Sequence, residues 1–256
     1  MLKLTQHENK KTDNNIDLVN NKECQHIYLS GIMKGKICRK KTNTNIDNIY
    51  LCNTHKQDLT SKKYINNLKY IVTDIETTGL DKMNDHIIEI AYKIIKNGKI
   101  ILEYQSLIKT HKKINSFILN FTGITNDMLD TQGKDIRDVL NDFYEDSKDC
   151  IFVAHFSQFD FHFIYEKLKL FNNKILDIPQ LCTCIMSRVL KKKLIIDIPD
   201  CKLSTLCTYY NITNFSAHRA MSDVNATIEL FNEIISLQNI YIFNYLSNKL
   251  NKHIYK

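Results

Sequence analysis

The sequence predicts an α/β fold, a mixed sheet of five strands flanked by helices, on three observations. Tyr70-Ile71-Val72-Thr73-Asp74-Ile75-Glu76 is an apolar, β-branched run that reads as a strand and stops at Thr77-Thr78-Gly79-Leu80. His86 to Lys96 and Lys99 to Ile108 run apolar or alternate on either side of Asn97-Gly98, a hairpin signal, so three consecutive strands form an antiparallel meander. Beyond Asp135, helical periods and short apolar runs follow one another, the order expected of strands joined by covering helices.

Before that first strand, the 256-residue chain has room for an appendage to one ordinary domain. Residues 1–22 are polar, rich in Asn and Lys and without period, the composition of a disordered tail. Met1-Leu2-Lys3-Leu4 leads into polar residues and not into a signal-peptide core, and no stretch suits a transmembrane helix. An intracellular protein, cytoplasmic or nuclear and without a membrane partner, is expected. Its eight cysteines are then thiols or metal ligands, not disulfides.

Residues 23–57 read as a zinc-binding module. Cys24, Cys38, Cys52 and His55 give the pattern C-x13-C-x13-C-x2-H, with turns at Ser30-Gly31 and Lys34-Gly35-Lys36. A thiolate and an imidazole three positions apart can close one side of a tetrahedral site holding one Zn²⁺, and two distant cysteines the other. So small a module buries little apolar surface, and a metal would supply the missing folding energy. His26 is a rival ligand, and unliganded thiols in a small hairpin are the alternative. The charge points to the same segment: residues 1–70 carry 13 Lys/Arg against 6 Asp/Glu, whereas residues 71–256 carry 22 of each. The whole excess of +7 is therefore amino-terminal, with Lys34, Lys36, Arg39, Lys40 and Lys41 between the proposed ligands. Such a cluster suits phosphate contact or forms a solvated face. Residues 58–68 read as a linker.

The later elements follow from period and punctuation. Ile136, Val139, Leu140 and Phe143 mark a helix over Asp135 to Asp146. A strand is expected at Cys150 to Ala154, a helix from Phe159 to about Leu170, a short strand near Ile175 to Ile178, and helices near Leu181 to Leu190 and Leu203 to Tyr210. Val224 to Leu237 is amphipathic, and residues 239–256 are expected to form a helical extension. Pro179 and Pro199 fall in connections. Cys150, Cys184, Cys201 and Cys207 lie among apolar residues and read as core thiols.

The chemistry begins on the first strand. Asp74 and Glu76, two positions apart, share one face, where they repel unless a divalent cation lies between them. Taken alone, this is equally an edge strand with solvated acids. Gly79 permits a tight turn whose backbone N–H groups could approach a phosphate. Two later segments carry further acids: Ala154-His155-Phe156-Ser157-Gln158-Phe159-Asp160, where a strand enters a helix, and His218-Arg219-Ala220-Met221-Ser222-Asp223, followed by Ala226-Thr227. With D-x-E-T-T-G-L, A-H-x(3)-F-D and H-R-A-x-x-D in this order, residues 69–238 resemble the DnaQ-like 3′–5′ exonucleases of the DEDDh type.

The resemblance implies a ribonuclease H-like fold with the acids at one end of the sheet. It also implies two Mg²⁺ or Mn²⁺ ions, with Asp74 bridging, Glu76 and Asp223 completing the first site and Asp160 helping to hold the second. By the same resemblance His218 is the general base for the attacking water; its alternative is a surface helix cap. Thr77 and Leu80 match positions that touch the terminal nucleotide, although Leu80 suits a core equally. Phe156 departs from the usual Asn, and would stack on a base or fill the core. His155 reads as structural, and Cys182-Thr183 resembles the family's start of the next helix. The function implied is a metal-dependent 3′–5′ exonuclease, DNA favoured, releasing nucleoside 5′-monophosphates, with polymerase or replication and repair proteins as partners. The alternatives are an RNA-trimming exoribonuclease and a non-catalytic nucleic-acid-binding zinc-finger protein with a relic domain.

Overall fold

The structure, a computed structural model, describes residues 68–214, 217–237 and 245, with the strand positions 45–46 and 49–50. The expected tail and Cys24, Cys38, Cys52 and His55 with their zinc lie outside these residues. So do the rival His26, the basic cluster from Lys34 to Lys41, the linker up to residue 67 and most of the carboxy-terminal extension. Two short strands, β1 (Asn45–Ile46) and β2 (Ile49–Tyr50), pair antiparallel.

A mixed five-stranded sheet forms the centre, in the order β5-β4-β3-β6-β7. β3 (Lys69–Thr77) and β4 (Ile87–Lys96) pair antiparallel, as do β4 and β5 (Lys99–Leu107). The expected hairpin joins β4 to β5. Asn97 at φ 53° and Gly98 at φ 71° both take the left-handed conformation that a two-residue turn of type I′ requires. On the other side of β3, β6 (Ile151–Ala154) and β7 (Gln180–Cys182) run parallel to it.

The alternation of β3 divides the core. Tyr70 and Val72 join Ile151, Val153 and Leu181 under α5 (Thr183–Lys192), α6 (Leu203–Tyr210) and α7 (Ala220–Ser236). Ile71 and Ile75 join Ile90, Tyr92 and Phe152 under α3 (Ile136–Asp146) and α4 (Ser157–Asn172). Burying both faces makes the central strands near-continuous apolar runs. No helix among the described residues is long and apolar enough to cross a membrane.

Two departures from the sequence reading have local causes. The short strand falls at Gln180–Cys182 and not near Ile175 to Ile178, because pairing with β6 starts only where Phe152 N donates to Pro179 O at 2.8 Å. Leu176 instead drops into the core from an irregular segment, and α5 is delayed to Thr183 because Leu181 and Cys182 belong to the strand. Helices α1 (Ser116–Thr122) and α2 (Asn126–Gln132) were not foreseen. Each has seven residues, too few for a period, but the caps were readable: Asn115 accepts from Ile118 N and Thr125 from Met128 N. The five described cysteines are free, four of them buried and Cys201 half-buried. Of the extension, Tyr245 is described, and its hydroxyl accepts from Cys182 N at 3.2 Å.

Candidate active site

Asp74 and Glu76 lie on the same face of β3 as Tyr70 and Val72, the face that α7 covers. Asp223, in the first turn of α7, comes down on them. One carboxylate oxygen from each of the three lies within 4.8 Å of the others. Asp160 arrives from the first turn of α4, is only 4% exposed, and accepts from Ile75 N at 3.2 Å. Its carboxylate is thus tied to the strand between Asp74 and Glu76.

Burial and mutual repulsion raise all four acids. Asp74 is pushed well above the carboxylate range by burial and then by Asp160 and Asp223. Glu76 rises to about 9 through burial, Asp223 and Glu89, with Arg219 opposing. Asp160 rises to about 7, mainly by burial, against the hydrogen bond from Ile75 N. Burial also raises Asp223, while Asn214 Nδ2 at 2.6 Å and His218 N at 3.1 Å pull it back. Four clustered acids, Asp160 and Asp223 buried and Asp74 and Glu76 half-buried, are raised because too little positive charge faces them, and an all-oxygen donor set fits a hard divalent cation.

His218 reaches Asp223 through its backbone N–H; its φ is +67° and its side chain is exposed. The imidazole lies on Phe121 with ring centroids 3.6 Å apart, and Phe121 stacks in turn on Phe117 at 5.7 Å. Phe121 escaped the sequence reading, since α1 itself did.

Glu89 escaped it too. It stands opposite Glu76 on β4, fully buried, and accepts from Arg219 Nη2 at 2.8 Å, Arg219 Nε at 3.2 Å, Ala220 N at 3.0 Å and Gln105 Nε2 at 2.9 Å. Burial disfavours its charge, yet these bonds hold its carboxyl below the ordinary range. The pair ties the start of α7, and with it Asp223, to the sheet. A lone acid within Ile87-Ile88-Glu89-Ile90-Ala91 and the Arg beside His218 were the available signal.

Gly79 is required by a close approach and not by a left-handed backbone. Its φ is not positive; a Cβ there would stand 2.4 Å from Asp85 Oδ2. That carboxylate is fixed by Thr78 Oγ1 at 2.9 Å, Asp81 N at 2.9 Å and Lys112 Nζ at 2.6 Å. Thr77 is buried, its hydroxyl donating to Gly79 O at 2.6 Å, while Leu80 is 85% exposed and Phe156 is also exposed, so neither fills the core. His155 is a tether: its ring meets Thr183 Oγ1 and Cys201 O, both at 3.0 Å, and burial lowers its pKa to about 4.

A mixed sheet with this helical cover and a carboxylate cluster at the end of its central strand defines a ribonuclease H-like exonuclease of the DnaQ-like kind. A profile of the RNase T exonuclease family matches residues 71–231, and the chain belongs to that family. It is 37% identical over 182 residues to the PolC-type DNA polymerase III of Caldanaerobacter subterraneus subsp. tengcongensis, covering 68% of this chain and 12% of that protein. With the Bacillus subtilis PolC-type polymerase it shares 35% over 162 residues, 63% of this chain and 11% of that one. The chain thus spans a small fraction of these relatives. Among solved structures, E. coli exonuclease I in complex with a dT13 oligonucleotide matches with a TM-score of 0.62 at 17% identity, over 73% of this chain and 45% of that one. Exonuclease X in complex with 5′ overhanging duplex DNA matches with a TM-score of 0.51 at 22% identity, over 65% and 91%.

Proposed function

We propose that this chain is a DEDDh-type 3′–5′ exonuclease that hydrolyses the terminal phosphodiester of a nucleic acid and releases nucleoside 5′-monophosphates, with DNA as the favoured substrate. The convergence of Asp74, Glu76 and Asp223, with Asp160 bonded to the strand between them, carries this reading. Asp74, Glu76 and Asp223 would hold one Mg²⁺ or Mn²⁺ ion, and Asp74 with Asp160 a second. Such a pair, when bound, supplies Lewis-acid polarisation of the phosphoryl group and stabilises the attacking and leaving oxygens of an in-line displacement.

The chain's own groups do the rest. Ile75 N and Asn214 orient Asp160 and Asp223, and the Glu89–Arg219 pair fixes the start of α7. His218, at an exposed position beside this helix start, takes the proton of the attacking water. Thr77, the last residue of β3, through its backbone, and the exposed Leu80, on the connection that follows, position the terminal nucleotide. DNA is favoured because the relatives are DNA polymerases and the matched exonuclease structures hold DNA. A relic domain would have little reason to keep four mutually repelling carboxylates together. At the amino terminus, the spacing of Cys24, Cys38, Cys52 and His55 supports a bound Zn²⁺.

The test offers 5′-labelled single-stranded DNA, a mismatched primer-template and RNA side by side with Mg²⁺. A ladder shortening from the 3′ end, strongest on DNA, is expected. Preferential trimming of RNA would move the assignment to an exoribonuclease, and no shortening of any substrate would overturn it.

A further inference from the structure

The structure contains a cavity of about 380 Å³ that the proposed reaction does not use. It opens between the start of β4, the segment after β5, the start of α3 and the carboxy-terminal half of α4, and its lining includes His86, Lys109, Arg137 and Lys167. Lys167 is 3% exposed, and its ammonium donates to Met83 O at 3.2 Å. Neither it nor Lys109 nor Arg137 is ion-paired with a carboxylate among the described residues. Two acids share the lining, but Asp135 caps α3 by accepting from Arg137 N at 2.7 Å, and Asp130 is exposed. Asp81 and Asp85 also act on Lys167, but Asp81 is engaged by Met83 N and Asn84 Nδ2 and Asp85 by Thr78, Asp81 N and Lys112, and neither lies in ion-pair contact with it. A buried ammonium whose one direct partner is a carbonyl is costly unless an anion completes its surroundings.

We propose that this cleft is a second anion site, which takes a phosphate group carried by a nucleotide, with Lys167 at its floor and Lys109 and Arg137 at its rim. The inference rests on the exonuclease reading for the nature of the ligand. Phosphate suits the donor set: an ammonium acts as a point charge and an exposed guanidinium offers a planar fork. The volume lies at the small end of ligand pockets, enough for one phosphate and its sugar but not a folded polymer. Position gives the site a use. Met83 lies on the β3–β4 connection that also carries Gly79 and Leu80, and His86 and Thr78 close that connection: His86 N donates to Thr78 Oγ1 at 3.0 Å and Thr78 N to His86 O at 2.9 Å. An anion on Lys167 therefore stands behind the segment proposed to position the terminal nucleotide. Residues 71–256 carry no net charge, so this group of unpaired cations is a local concentration within a neutral domain. The phosphate has two possible sources, a phosphodiester of the substrate strand or a free nucleoside monophosphate.

The experiment uses the full chain in EDTA, where binding is read without hydrolysis. Inorganic phosphate and dAMP are titrated by calorimetry, and a 5′-labelled oligo(dT) by anisotropy across a range of salt. Wild type is compared with Lys167→Met and with the surface double variant Lys109→Ala/Arg137→Ala, which stays informative if the buried change unfolds the protein. Weakening of dAMP and phosphate binding in the variants by about tenfold or more, the effect of losing a charge-assisted hydrogen bond, supports the site with a free nucleotide as its ligand. A fall in the oligo(dT) salt slope of about 0.7 for each phosphate no longer neutralised supports it with the strand as ligand. Unchanged dAMP and phosphate binding together with an unchanged salt slope in the double variant overturns it. Hydrolysis after adding Mg²⁺ is scored separately: a wild type that binds in the cleft but does not shorten the strand refutes the exonuclease reading and leaves the anion site standing.

Discussion

Replacing Glu89 tests whether the site is held by the ion pair behind it, without touching any acid assigned to the metal ions. Its carboxylate is fully buried and takes four hydrogen bonds, two from Arg219 and one each from Ala220 N and Gln105. Glu89→Gln keeps the shape but turns one acceptor oxygen into a donor, so hydrogen bonds on that side are broken and Arg219 keeps an uncompensated charge. Breaking a buried pair from one side costs about 3–5 kcal/mol. Arg219 is 35% exposed, which lets water recover part of this and places the expected loss near about 3 kcal/mol. Arg219→Ala leaves the wholly buried carboxylate unpaired and should cost at least as much. Because the Glu89 carboxyl is held below its ordinary value of 4.5, the contribution is complete above that pH and is lost as the pH falls through the folded value. Urea unfolding at neutral pH measures the loss, and single-turnover hydrolysis measures its consequence at Asp223 and His218, expected to be about tenfold or more, since loosening α7 misplaces both. Unfolding within about 0.5 kcal/mol of wild type, the range of an ordinary surface change, would refute the reasoning. A destabilised Glu89→Gln with normal turnover would show that the pair serves the fold alone.

His218→Ala should lose roughly 10²–10⁴-fold in turnover while still binding nucleic acid, the range for a missing general base; wild-type turnover in steady-state assays would exclude that role. Gly79→Ala forces a Cβ to 2.4 Å from the triply held Asp85 carboxylate and should cost about 1–3 kcal/mol in urea unfolding, whereas a neutral result would mean that the connection yields freely. In EDTA, the raised values of Glu76, about 9 against 4.5, and Asp160, about 7 against 3.8, mean that the folded state binds more protons than the unfolded one. Thermal stability should then be greatest below about pH 4 for these groups and fall as the pH rises toward 9, with Mg²⁺ restoring it; a metal-free melting temperature that rises over that window would contradict the assignment.

The parts of the fold legible in sequence were those whose signal is local and long enough to repeat. β3, β4 and β5 announce themselves by β-branched runs and by Asn97-Gly98, and α3 by Ile136, Val139, Leu140 and Phe143. α1 and α2 are two turns each and show only through their caps, and β7 is three residues whose strand character comes from β6. At the site, Asp74, Glu76, Asp160 and Asp223 stood out because their motifs are contiguous. Glu89 and Phe121 did not, because each matters only through a residue about a hundred positions or more away, Arg219 and His218 respectively. A buried acid inside an apolar strand is unremarked until its partner is brought to it. The turn at Gly79 was read by its usual conformational role, while the actual constraint is the approach of Asp85, six residues on.

The most direct test is the release of the 3′-terminal nucleotide by Asp74→Ala beside wild type, under single-turnover conditions with saturating Mg²⁺. Asp74 is acted on by Asp160, Asp223 and Glu76 together and is the residue assigned to both ions. The variant should fold normally, with loss of one mutually repelling acid, and should release the terminal nucleotide roughly 10²–10⁴-fold more slowly, several kcal/mol of lost transition-state stabilisation. Release by Asp74→Ala at the wild-type rate would contradict the assignment of these carboxylates as the catalytic centre.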